Sequence, residues 1–181
     1  SDGLVACGYP KCTGDIMATN PRWRRPLREW RQEFLSWLTE PVPDALLRAS
    51  IFFDMRPVHG ELKLFTKLEK FILKRAPDAK VFLAHLAKQA TLNEPPLGFF
   101  KGFVLEKAGD HKDTLDIKRG GIGAVVELAR VHALSIGSPA VNTQARIAAA
   151  AEAGVLSEER AEDLRDAFEF ISYVRLRHQG A

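Results

Sequence analysis

Residues 20–41 have the sequence NPRWRRPLREWRQEFLSWLTEP, in which the apolar residues recur at helical spacing. Five apolar side chains follow one another at steps of four, three, four and three, which places them on one face of a helix. They are Trp23, Leu27, Trp30, Phe34 and Trp37. Asn20 can cap this helix, with Pro21 at its first position. Because Pro26 lies inside the pattern, the helix either kinks there or begins at that residue.

The same helical period recurs along most of the remaining chain, and proline or glycine separates the segments. Further helices are predicted at residues 44–53, 64–72, 78–90, 125–136, 142–153 and 157–178. Asn142 and Ser157 are the predicted N-caps of the last two. Six or seven helices with short connections predict an all-α fold, a helical bundle. Residues 103–118 form either a short β-hairpin or one long excursion from that bundle.

The first twenty residues differ from the rest, because glycine and proline interrupt them and no helical or strand period survives. The chain also begins with Ser1 and not with methionine. We therefore expect residues 1–20 to be the end of a preceding domain and residues 21–181 to form the helical domain.

Composition favours a globular protein inside the cell. The 181 residues are 46% hydrophobic and 27% charged, which excludes a disordered chain. Uncharged apolar runs are far too short for a transmembrane helix, and we expect no signal peptide. With 26 basic and 23 acidic residues the net charge is only +3, so nucleic acid is not the expected partner. The prediction is a cytoplasmic protein with no membrane association.

Motifs for metal binding or nucleophilic catalysis are weak. Cys7 and Cys12 lack the C-x2-C spacing of a zinc site, and the five histidines form no metal-binding motif. The glycines of residues 120–123 precede a predicted helix and could meet a phosphate, but a plain loop is the favoured interpretation because the P-loop lysine is missing. We therefore predict neither catalytic residues nor a metal site.

Five arginines between residues 22 and 31 alternate with Trp23 and Trp30. Such a basic and aromatic surface could contact phosphate or RNA. The favoured interpretation is an amphipathic helix whose tryptophans enter the core and whose arginines are solvated or paired, because the overall charge is nearly balanced.

Charged side chains next to apolar runs are the strongest candidates for a ligand site. Asp54 and Arg56 follow a run of apolar residues, where a buried charge would need a partner. Asp116 and Lys118 point the same way if residues 115–118 are extended. Further groups at the end of the last helix complete the set; they are Arg175, Arg177 and His178. Together they could form a polar pocket between helices, or a set of ion pairs that join helices.

Several ordered motifs resemble a known bacterial protein family. Residues 8–23, with the pattern G-Y-P-x-C-x-G-x-x-M-A-x-N-P-x-W, resemble the end of the putative nucleotidyltransferase domain of bacterial signalling proteins, which often carry cyclic-nucleotide-binding and CBS domains upstream. Motifs at residues 50–56, 96–100, 115–118, 127–130, 142–146 and 176–179 resemble the putative nucleotidyltransferase substrate-binding domain that follows it.

The resemblance implies that residues 1–20 end an upstream nucleotidyltransferase domain and that residues 21–181 form the helical substrate-binding domain. It also implies a uridylyltransferase-like catalytic core in the same protein that uses Mg²⁺ and a nucleoside triphosphate. The core's Gly-Ser turn followed by D-x-D is missing here, since Gly137-Ser138 is followed by Pro139. We therefore expect this chain to be inactive alone and to hold no cofactor.

The predicted function is to bind and position an acceptor, either a protein or a small molecule, beside that core. The six predicted substrate contacts are Asp54, Arg56, Lys118, Arg146, Arg175 and His178. Arg56 and Arg175 could each grip a phosphate or carboxylate by two hydrogen bonds. The alternative is a non-catalytic module for signal transduction that forms a homodimer or docks other domains.

Overall fold

A computed structural model describes residues 2–92, 105 and 114–180 of the chain. These residues contain eight α-helices and no β-strand, so the all-α prediction is confirmed. The helices are α1 (Asp2–Ala6), α2 (Leu27–Thr39), α3 (Pro43–Phe52), α4 (Leu62–Leu73), α5 (Lys80–Leu92), α6 (Ala124–Ser135), α7 (Thr143–Glu152) and α8 (Glu158–Gln179). The hairpin considered for residues 103–118 lies largely outside the described residues.

Local capping signals determine where several helices begin. The Asn20 side chain accepts a hydrogen bond from the Arg22 amide and starts a short 3-10 helix, Pro21–Trp23. Helix α2 then begins after Pro26, so the second of the two predicted starts is correct. Asn142 and Ser157 cap α7 and α8 as predicted. The short helix α1 is a correction, since residues 1–20 were expected to have no helical segment.

Two hydrophobic cores share helix α6. The larger one lies among α2, α3, α4 and α5, and it includes Phe34, Phe82 and Leu86, all fully buried. The smaller core joins α6 to α7 and α8 through Val125, Ala129, Ile147 and Ala161. Because Leu134 of α6 belongs to the larger core, the two ends of α6 serve different cores. Helix α6 is therefore the element through which the two halves of the bundle meet.

A π-helix, Lys118–Gly123, leads directly into α6. The Asp116 carboxylate accepts hydrogen bonds from the amides of Lys118 and Arg119, and Ile117 already has a helical backbone. The extended conformation considered for residues 115–118 is therefore not continued through residues 117 and 118, because the Asp116 side chain starts a helical turn there. A β-carbon at Gly121 would lie 3.2 Å from the Ile171 side chain, so the π-helix packs closely on α8.

In the described ranges, none of the helices is both long enough and apolar enough to cross a membrane.

Candidate functional site

Asp54 lies in the turn that follows α3, at the point where the two halves of the bundle meet. Its neighbour Phe53 packs its ring against the rings of Phe34 and Phe82 in the larger core. That packing fixes the backbone of the turn and directs the Asp54 carboxylate toward α6 and α7. The Asp54 side chain keeps 36% of its surface exposed.

Two buried arginines bind the Asp54 carboxylate. Arg130, on α6, donates from Nε to Oδ1 at 3.2 Å and from Nη2 to Oδ2 at 2.6 Å, a two-point contact. Arg146, in the first turn of α7, donates from Nη2 to Oδ1 at 2.6 Å. Both arginine side chains are at most 5% exposed. One carboxylate thus joins the end of α3 to both α6 and α7.

Further contacts complete the network. Arg146 also donates from Nε to the Ala140 carbonyl at 2.8 Å and from Nη2 to the Phe53 carbonyl at 3.4 Å. Glu127 Oε2 lies 2.6 Å from Arg130 Nη1, one turn earlier on α6. Two carboxylates therefore balance two guanidinium groups, which is the condition under which buried charges are tolerated.

The network changes the pKa values of its members. Burial would raise the pKa of Asp54, but the hydrogen bonds and positive charges of Arg130 and Arg146 outweigh it and lower that pKa below its ordinary value of 3.8. Burial would likewise lower the pKa of Arg130, but Asp54 and Glu127 outweigh it and raise that pKa. Asp54 and Arg130 are therefore both charged at neutral pH.

A narrow, mainly apolar pocket lies against Arg146. It opens between the end of α3, helix α4 and the loop from α6 to α7. Aromatic side chains of Phe52, Phe53 and Phe65 form part of its wall. Its polar side chains are Glu69, Ser138 and Arg146. An apolar cleft with a few polar groups is typical of small-molecule sites between helices.

The structure brings two of the six predicted site residues together. Asp54 and Arg146 are in direct contact, as inter-helix ion pairs. Among the described residues, no ion pair or side-chain hydrogen bond joins the other four to this network or to one another. Arg56, Lys118 and His178 are exposed, and Arg175 is partly buried. Their role in substrate binding stays a prediction.

Arg130 and Glu127 were not among the predicted site residues. A signal for Arg130 existed, because it lies within the sequence Leu128-Ala129-Arg130-Val131, where a charge beside apolar neighbours must find a partner. The partner could not be read from the sequence, since Asp54 lies 76 positions away.

The arginine-rich stretch before and within α2 is the amphipathic segment that the sequence predicts, with tryptophans against the core and some of its arginines paired. Trp23 and Trp30 pack against the larger core. Arg25 donates to Glu33 at 2.8 Å, and Arg22 lies 4.0 Å from the same carboxylate. Part of the positive charge is therefore neutralised within the chain.

The described residues give no sign of a metal centre. Over residues 2–92 and 114–180, no three or more histidine, cysteine, aspartate or glutamate side chains are grouped as a metal site requires. Cys7 and Cys12 are both exposed and unpaired with one another.

The chain matches two known protein families. Residues 80–181, more than half of the chain, match the family described as putative nucleotidyltransferase substrate binding domain. The chain belongs to this family. Residues 1–44 match a second family, described as putative nucleotidyltransferase DUF294. No curated protein and no solved structure matches the chain.

The family resemblance seen in the sequence is therefore confirmed. Arg130 and Arg146 lie inside the substrate-binding match, and Asp54 lies between the two matched stretches. The boundary expected at residue 20 stays a prediction.

Proposed function

We propose that this substrate-binding domain holds the acceptor of a nucleotidyl-transfer reaction and positions it beside a catalytic core in the same protein. The acceptor is a protein or a small molecule that carries an anionic group. Positioning of this kind speeds a transfer because the two reactants meet already oriented. The setting we propose is a cytoplasmic, uridylyltransferase-like protein of bacterial signal transduction, with cyclic-nucleotide-binding or CBS domains elsewhere.

The observation that carries the proposal is the position of Arg56. This side chain is exposed, and within the described part of the chain it has no ionic partner. It follows Asp54 by two residues, and Asp54 is held by two buried arginines. A binding group is most effective when the backbone that carries it is fixed by neighbouring contacts. As far as the described residues go, Arg56 is thus an unpaired guanidinium next to an anchored turn.

Arg175, Lys118 and His178 are the other cationic or titratable groups that we assign to the acceptor. Arg175 lies on α8 one turn beyond Ile171, whose side chain packs against the π-helix that Lys118 begins. Lys118 and His178 are exposed. An acceptor with more than one anionic group would find several positive charges on these elements.

Mg²⁺ and the nucleoside triphosphate belong to the proposed core. The Gly-Ser turn followed by D-x-D that would hold both is missing from this sequence, since Gly137-Ser138 is followed by Pro139. We therefore assign no catalytic step to this chain, only binding and orientation of the acceptor.

The test is a titration of the ¹⁵N-labelled 181-residue chain with inorganic phosphate and with acetate, two probes of the anionic group, at constant ionic strength. We expect phosphate to shift the Arg56 side-chain resonance and the Arg56→Ala variant to weaken binding by about fivefold or more. The matched control is Arg48→Ala, because Arg48 is already paired with Asp44. Equal affinities of wild type and Arg56→Ala for both probes would contradict the assignment.

A second candidate function, a module for self-association or docking, is favoured by one separate observation. Helix α8 exposes large apolar side chains, among them Phe170, Tyr173 and Leu176.

A further inference from the structure

Helix α8 presents a regular row of exposed side chains on the face opposite its packed side. The packed side carries Ala161, Leu164 and Phe168, which contact the smaller core. The exposed row follows steps of three, four, three and four residues. Its members are Asp163, Asp166, Phe170, Tyr173 and Arg177. We call these five residues the α8 row.

The α8 row has the spacing by which two helices pack in a coiled coil. Residues that alternate at three and four positions form a continuous seam along one face of a helix. Phe170 is 68% exposed and Tyr173 is 62% exposed at the centre of the row. None of its three charged members forms an ion pair with a described residue. An aromatic seam left open in this way is typical of an association surface.

The order of charges along the row identifies what fits it. Asp163 and Asp166 occupy the N-terminal part, two aromatic residues the centre, and Arg177 the C-terminal part. A second copy of α8 that runs antiparallel would bring its basic end to the acidic end of the first. A parallel copy would place aspartate beside aspartate and arginine beside arginine, which repel.

We propose that two copies of this chain associate through α8 in antiparallel orientation. With the centre of symmetry between Phe170 and Tyr173, each Phe170 faces Tyr173 of the second copy. The same register places Asp166 opposite Arg177 of the second copy. Because a twofold axis repeats every contact, the interface contains two aromatic pairs and two ion pairs. This inference does not depend on the proposed acceptor function.

One pair of helices forms a small interface, so the association should be reversible, with a Kd of about 1–100 µM. Sedimentation equilibrium of the 181-residue chain over about 1–500 µM covers that range. We expect a monomer–dimer equilibrium with no larger species, since a closed twofold contact leaves no free seam.

Charge reversal tests the register. In Asp166→Arg, the arginine at position 166 faces Arg177 of the second copy at both symmetric positions. In Arg177→Glu, the glutamate at position 177 faces Asp166 of the second copy. Each single variant should raise the Kd by about tenfold. The double variant Asp166→Arg/Arg177→Glu restores opposite charges, so its Kd should return to within about threefold of wild type.

Arg160→Glu is the matched control. It makes the same change of charge as Arg177→Glu on the same helix, but Arg160 lies outside the α8 row and its substitution should leave the Kd unchanged. Circular dichroism and melting temperature check that each variant is folded. A folded wild-type chain that stays monomeric throughout overturns the proposal. A dimer that neither single variant weakens, or that the double variant does not restore, also overturns it.

Discussion

Arg146 donates a hydrogen bond from Nη2 to Asp54 Oδ1 at 2.6 Å, across 92 positions of the sequence. Arg130 binds the same carboxylate from 76 positions away. Asp54 follows a helix of the larger core, while Arg146 lies in the first turn of a helix of the smaller one. The carboxylate therefore connects two halves of the bundle that otherwise meet mainly along α6.

Removal of the Asp54 carboxylate should destabilise the protein strongly. Asp54→Ala leaves two buried guanidinium groups without their main acceptor, and an unpaired buried charge is more costly than the pair itself is stabilising. We expect the free energy of unfolding to fall by about 2–4 kcal/mol, below the largest such effects because Asp54 is 36% exposed. Urea denaturation followed by circular dichroism measures this change.

Asp44→Ala is the control for that experiment. Asp44 forms an ion pair with Arg48 one turn along α3, but its side chain is 62% exposed. Such a surface pair contributes only about 0.3–0.5 kcal/mol. If Asp54→Ala and Asp44→Ala destabilise the protein equally, the network does not hold the two halves together.

Local features of the fold could be predicted from the sequence, because their causes are local. The Asn142 and Ser157 side chains bind amides two or three residues away, so the beginnings of α7 and α8 follow from neighbouring residues. The apolar face of residues 23–37 is equally local, and its tryptophans do pack on the larger core. Helix α1 was missed because its five residues bury no side chain and so leave no apolar period.

The site could be predicted only in part. Asp54 was recognised as a charge that needed a partner and Arg146 as a candidate substrate contact, but which residues pair depends on how the helices pack. Arg130 illustrates the limit: its apolar neighbours indicate that it needs a partner, but that partner, Asp54, lies 76 positions away. Asp116 shows the opposite case, since its short-range capping bonds to residues 118 and 119 could have been anticipated from local chemistry.

Acid should remove the contribution of the Asp54 network to the stability of the fold. Because the folded pKa of Asp54 lies below its ordinary 3.8, the unfolded chain takes up the proton more readily. The stabilisation by Asp54 is therefore fully present only well above pH 3.8, and it is lost as the pH falls through the folded pKa. Asp54→Asn lacks this contribution at every pH, so wild type and variant should differ most near neutrality and converge in acid. Urea unfolding at a series of pH values measures the difference, and a constant difference would contradict the lowered pKa.

Gly137 should tolerate no side chain, because two separate constraints apply to it. Its φ of +65° is unfavourable for other residues, and a β-carbon would lie 2.7 Å from the Leu73 carbonyl oxygen. Gly154 has a similar φ of +70° but no atom within 4 Å, so Gly154→Ala reports the backbone cost alone, about 1 kcal/mol. We expect Gly137→Ala to lower the unfolding free energy by about 1–3 kcal/mol more than Gly154→Ala. Equal losses in urea denaturation would show that the contact with Leu73 is relieved by a shift of the loop.

His132 should make the stability depend on pH in a different range. Burial lowers the pKa of His132 below its ordinary 6.5, so the unfolded chain binds a proton before the folded one as the pH falls. Stability should therefore be constant above about pH 7.5 and decrease below pH 6.5, and His132→Gln should remove this decrease.

His85→Gln is the control, because His85 lies on the exposed side of α5. Urea unfolding between about pH 8 and pH 5 measures the slopes, well above the range in which Asp54 titrates. A His132→Gln curve parallel to wild type would show that the folded protein carries a protonated His132 as readily as the unfolded chain does.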